Sequence, residues 1–156
     1  MKKLNNERYQ FRTLTGYDHL VVTLSGRAGE WLAGTTKTND GYIVSHRTLM
    51  NDLLSRMHLT ADTSTGFRRA LSLNAGQAQY SELQLQAEWS IGRKVIRRLM
   101  DEMENVGLIE VQKSTVASTV TFPCIKCWTV NGMVIDNPYH RDYLKHATIG
   151  EGGNNL

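Results

Sequence analysis

The sequence predicts an α+β fold that is mainly helical: a three-helix core, a β-hairpin behind it, and an N-terminal extension of short strands and a helix. Three observations lead there. Residues 91–106 repeat apolar side chains at helical spacing over about four turns. From Leu108 the repeat shortens to two, as in a strand. Hydrophobic residues fill 40% of 156 positions against 21% charged, which is enough to bury a core.

The elements follow in order. Residues 8–24 (RYQFRTLTGYDHLVVTL) hold two β-prone runs separated by Thr15-Gly16-Tyr17-Asp18, a pair of strands. The Gly-, Thr- and Asn-rich stretch 25–41 reads as a loop, interrupted by a short piece at 29–32. In HRTLMNDLLSRM, Leu49, Met50, Leu53, Leu54 and Met57 recur at helical spacing behind Ser45, a good N-cap. Thr63 or Ser64 opens a further helix holding Phe67, Ala70, Leu71 and Leu73, ending near Asn74-Ala75-Gly76. Ser81 starts a shorter helix with Leu83, Leu85 and Ala87. After Trp89, Ser90 caps the most regular helix, Ile91 to about Val106, and Gly107 stops it. LIEVQKS alternates, 115–118 turns, and TVTFPCIKCWTV returns through Pro123 as the second strand of a hairpin. A last helical turn or two is expected in YHRDYLKH, and the Gly-rich tail 150–156 is expected to be disordered. The chain thus divides into an extension (1–60), a helical and hairpin domain (61–135) and a tail (136–156).

Charge narrows the function classes. A net charge of +3 permits a nucleic-acid partner without requiring one. The basic residues are clustered, with Lys2, Lys3, Arg8 and Arg12 at the start and Arg93, Lys94, Arg97 and Arg98 in the long helix. The opening MKKLNNERYQ lacks the apolar stretch of a secretory signal, and no apolar run approaches the roughly 20 residues of a membrane span, so a cytoplasmic location is expected.

At about 100° per residue, Ile91, Val95, Ile96, Leu99, Met100, Met103 and Val106 share one half of the long helix. Arg93, Lys94, Arg97, Asp101, Glu104 and Asn105 share the other, with Arg98 and Glu102 at its edges. The helix dipole favours acidic groups at the N-terminus and basic groups at the C-terminus, by roughly 0.3–1 kcal/mol per charge. This ridge runs the other way. Pairs such as Arg97/Asp101 and Arg98/Glu102 at i, i+4 recover a little. A basic leading end suits phosphates and guanine edges, because recognition helices read bases mainly through their N-terminal residues. A solvated face with accidental charge order is the competing reading.

The run SELQLQAEWSIGRKVIRRLMDEMENVGLIEV resembles the winged helix-turn-helix family, in which a short helix, a turn and a long helix precede a Gly-Leu-Ile-type ending and a β-hairpin wing. Leu83, Leu85 and Ala87 take the first-helix positions, Ser90 or Gly92 the helix start, and Ile96, Leu99, Met100 and Met103 the core positions. The likeness covers about 62–131, with the helix at 64–74 in front. Trp89 in the turn, and a long second strand containing Pro123, depart from the common pattern. The wider order beginning GYIVSHRTLMNDLL is similar to the N-terminal DNA-binding domains of phage and plasmid replication proteins, with Ile43, His46, Arg47 and Leu49 matching an Ile-x-x-His-Arg-x-Leu-like run.

The resemblance implies a double-stranded DNA-binding protein, acting as a transcriptional regulator or as a replication or mobile-element accessory factor. Arg93, Lys94 and Arg97 would enter the major groove, and Ser81, Gln84, Ser90 and Arg98 would hold phosphates. Lys113, Ser114 and Thr115, with Ser118 and Thr119, would touch the backbone or minor groove from the wing, or else form a plain turn. This requires the leading edge of the helix to stand clear of the first sixty residues and of carboxylates. A winged helix used for protein interaction is the alternative. A homodimer through residues 1–60 would suit paired half-sites, though no heptad supports it.

Catalysis has little foothold, and no catalytic residue, metal or cofactor is expected. Cys124-x-x-Cys127 lacks two further ligands at suitable spacing, His140 and His146 being six positions apart, and it lies in a β-run after Pro123. It reads as two buried or half-buried thiols. His19, His46 and His58 are isolated and read as satisfied polar histidines. Asp101, Glu102 and Glu104 face no second carboxylate cluster.

Overall fold

The structure is a computed structural model that describes residues 16–60, 73–115 and 117–142. Its order is β1 (His19–Val22), α1 (Gly26–Leu32), β2 (Thr35–Lys37), β3 (Ile43–Ser45), α2 (His46–Ser55), β4 (Gln77–Tyr80), α3 (Glu82–Trp89), α4 (Arg93–Asn105), β5 (Glu110–Gln112), β6 (Ser118–Thr121), β7 (Ile125–Val130) and β8 (Met133–Asp136). The expectation of a mainly helical fold is corrected. Helix takes 33% and strand 27% of the described residues, in four helices and three small sheets. No helix among the described residues is long and apolar enough to cross a membrane.

Much of the added strand content comes from pairing between distant segments. β1 lies antiparallel to β7, with Leu20 opposite Trp128, and β7 continues into β8 through Asn131-Gly132. The expected partner of β1, residues 8–14, lies outside the described residues. The stretch 25–41 is not a loop: Ser25 accepts the Ala28 N–H and opens α1, which buries Ala28 and Leu32, and β2 pairs with β3. Ser45 caps α2 by accepting the Thr48 N–H, as its sequence suggests. The helix expected at 64–74 falls mostly outside the described residues. Among the described residues, the helix preceding α3 that is joined to it by a side-chain hydrogen bond is α2.

β4, β6 and β5 form an antiparallel sheet with β6 in the middle. Alternation puts Ala78, Tyr80 and Val120 in the core and Gln77, Thr119 and Thr121 on the opposite face. The long second strand expected for the hairpin is two strands in two sheets. Pro123 has no N–H to donate to a ladder, and a tight turn, closed by Ile125 N–H to Phe122 O at 3.0 Å, carries the chain from β6 to β7. After β8, residues 137–142 form no helix and turn at Pro138-Tyr139; the rest of the helical turn expected over 139–146 lies outside the described residues. Asn137 locks the observed turn by donating to Phe122 O and Ile125 O. One contiguous core joins Ala28, Leu49, Leu85, Leu99, Val120 and Trp128, so elements from both ends of the chain pack on α4 and its neighbours.

Candidate nucleic-acid interface

The candidate surface is built on α3, a turn, α4 and the β5–β6 hairpin. Ser81 accepts the Gln84 N–H and starts α3. Leu85 and Trp89, four residues apart, are its buried pair, whereas Leu83 is 78% exposed and Ala87 is exposed. The grouping of Leu83, Leu85 and Ala87 is therefore corrected, because a spacing of two belongs to a strand and cannot fall on one helix face. Trp89 is the last residue of α3 rather than part of the turn, and its indole N–H donates to the buried Asp52 at 2.8 Å. Asp52 also accepts from Arg56, which in turn reaches Glu88 at 2.7 Å. This nearly dry network ties α2 to α3.

Ser90 does not cap the long helix. It adopts the left-handed conformation (φ 54°), ends α3 by donating to Gln86 O, and offers its own carbonyl to the Asn39 N–H of the β2–β3 turn. Gly92 takes the N-cap position of α4 without a side-chain bond. At the far end, Gly107 (φ 83°) lets Leu108 N–H reach Met103 O, the left-handed ending expected from its sequence. Ile96, Leu99, Met100 and Met103 are buried, which leaves the polar ridge outward.

Residues 16–60 do not cover the cations: the Arg93, Arg97 and Arg98 side chains are 62%, 51% and 59% exposed. Lys94 is exposed and makes no ion pair among the described residues. The other requirement, that this edge stand clear of carboxylates, is not met at Arg93 and Arg97. Glu82 accepts from Arg93 Nε at 3.0 Å and from Arg97 Nε at 2.8 Å, so Arg97 pairs across the helix turn rather than with Asp101. The hydrogen bond from Arg97, with that from Arg93 behind it, holds the Glu82 carboxyl below the usual range despite partial burial. Arg98 meets Glu102 at 3.5 Å, and Glu102 accepts the Trp31 indole N–H.

Toward the hairpin the surface turns acidic. Glu104 accepts the Val111 N–H at 3.1 Å and fixes the start of β5. Burial pushes the Tyr80 phenol up, a hydrogen bond to Ser118 pulls it back, and the Glu82, Glu104 and Asp101 carboxylates push it further up. At the hairpin tip Lys113, Ser114 and Thr115 are exposed, Ser114 accepting the Ala117 N–H. Gln84 is exposed on α3, with its carbonyl 3.5 Å from an Arg56 nitrogen.

The sites set aside in the sequence stay separate from this surface. His46 is buried, bonded to Thr36 Oγ1 and Trp31 O, and stacked on Trp31 at 4.1 Å. Cys124 is buried and Cys127 half-buried, and burial pushes the Cys124 thiol up to about 11. Among the described residues no group of three His, Cys, Asp or Glu side chains is placed to hold a metal ion. Sequence reasoning missed Glu82. The available signal was an acidic residue in the first turn of α3, facing a helix that begins with arginines.

Compared with known protein families, characterised proteins and solved structures, the chain matches none of them.

Proposed function

We propose that the chain binds double-stranded DNA and that residues 77–121 work as a winged helix-turn-helix, with the first two turns of α4 in the major groove. The observation that carries this is the leading half of α4, where four cationic side chains stand exposed on a helix whose opposite face is buried. Support also comes from the element order β4–α3–α4–β5–β6, which puts a short helix before this one and a hairpin with an exposed Lys113 after it. The uncapped N–H groups behind Gly92 add partial positive charge at the same end. Glu82 and Glu102 lower the local charge without cancelling it, since two carboxylates face three arginines and Lys94 makes no ion pair among the described residues. A cytoplasmic role in transcription, replication or mobile-element maintenance belongs to the same proposal.

Gel shift of a random-sequence duplex at low salt tests it. Retardation by the wild type, and its loss in Lys94→Ala/Arg98→Ala with an unchanged melting temperature, is the expected result. An unshifted duplex would favour a protein partner, a reading supported by the exposure of Leu83 on α3.

A further inference from the structure

Glu82 stands between the two helices of the interface and holds two of its cations. Its Oε2 accepts from Arg97 Nε at 2.8 Å, and its Oε1 accepts from Arg97 Nη2 and from Arg93 Nε, both at 3.0 Å. The carboxylate sits at the first position of α3, behind the Ser81 cap, where a negative charge is favoured by the helix N-terminus. Only 23% of its side chain is exposed, so its position is firmer than that of either arginine.

The pairing is side-on. It uses Nε of Arg93, and Nε with one Nη2 hydrogen of Arg97, and leaves Nη1 and the outward Nη2 hydrogen of each guanidinium without an acceptor among the described residues. That free end is a fork of parallel N–H donors, and guanine presents N7 and O6 in the major groove as two matching acceptors. Arg93 and Arg97 are four residues apart, about 6 Å along the helix axis. Stacked bases are about 3.4 Å apart, so the two forks span roughly two base-pair steps.

We infer that Glu82 is a specificity-determining residue, which sets Arg93 and Arg97 for reading guanines one or two base pairs apart. The inference rests on the duplex-binding reading above. A held arginine loses less freedom when it meets a base, so the pairing favours a matched guanine. The same carboxylate repels phosphate, so it lowers affinity for every duplex alike. Removing it separates the two effects.

The test passes wild type, Glu82→Ala and Arg97→Lys through selection from a random duplex pool, then compares affinities for the selected and a scrambled duplex. Wild type is expected to enrich two guanine positions one or two pairs apart. Glu82→Ala is expected to bind the scrambled duplex at least as tightly as wild type while losing roughly tenfold of its preference for the selected one. Arg97→Lys keeps the charge but has no fork, and is expected to lose one guanine position. Undiminished enrichment in Glu82→Ala, or a wild type with no guanine preference, overturns the inference and leaves duplex binding standing. A wild type that binds no duplex overturns both. Should Glu82→Ala fail to fold by circular dichroism, Arg97→Lys decides alone, and unchanged enrichment there is the refuting result.

Discussion

Replacing Asp52 by Ala removes the acceptor for three donors in the heart of the α2–α3 contact. The Trp89 indole N–H lies 2.8 Å away, and Arg56 Nε and Nη2 lie at 3.2 and 3.1 Å. Asp52 and Trp89 are fully buried, and the Arg56 side chain is only 5% exposed, so water cannot easily replace the carboxylate. Stranding the indole N–H costs about 1–3 kcal/mol. Breaking a buried ion pair outright costs about 3–5 kcal/mol. Because Arg56 keeps Glu88 at 2.7 Å, the ion-pair cost falls below that range, and about 3 kcal/mol in total is expected. Trp89→Phe is the control. It removes one donor, keeps an aromatic ring in the site and leaves Asp52 with Arg56, so about 1 kcal/mol is expected. Urea unfolding followed by far-ultraviolet circular dichroism measures both, and the Asp52→Ala midpoint should fall by roughly 1–3 M. If Asp52→Ala costs no more than Trp89→Phe, the network does not hold α2 against α3 and the reasoning fails.

Three further outcomes test the packing. Leu83→Gln should leave the urea midpoint nearly unchanged, whereas Leu85→Ala should cost about 2–5 kcal/mol; equal costs would contradict the exposure of Leu83. The Cys124 thiol is pushed by burial from its ordinary 9 up to about 11, so the folded state prefers the protonated form. That contribution is complete below pH 9 and is lost as pH rises toward 11, giving an alkaline fall in stability that Cys124→Ala should flatten. A thiol-reactive dye should accordingly label Cys127 before Cys124 in the folded protein, and the reverse order would contradict the burial assignment.

Local patterns in the sequence expose α2, α3 and α4 well, because each carries a clear cap, breaker or apolar stripe: Ser45, Ser81, Gly107 and the Ile96–Met103 face. The alternation of β5 and β6 is legible for the same reason. Three things are not. α1 buries only Ala28 and Leu32, too little for a periodic signal over seven residues. The β1–β7 pairing joins residues about a hundred positions apart, and no local pattern encodes a partner. The turn between α3 and α4 needs both a left-handed residue and a new N-cap within three positions. Ser90 serves the first and Gly92 the second, although serine is the commoner cap. At the interface the sequence identifies the cations but not their counter-charge, since Glu82 meets Arg93 and Arg97 only after the turn folds α3 onto α4.

The central claim is that the leading half of α4 meets a phosphate backbone, and the salt dependence of duplex affinity tests it most directly. Each neutralised phosphate contributes about −0.9 to the slope of log affinity against log salt. With Lys94 and Arg98 on the backbone and Arg93 and Arg97 on base edges, a slope of about −2 is expected, made shallower by about 0.9 in Lys94→Ala. A duplex affinity that is flat with salt, or a slope that Lys94→Ala leaves untouched, would contradict the account.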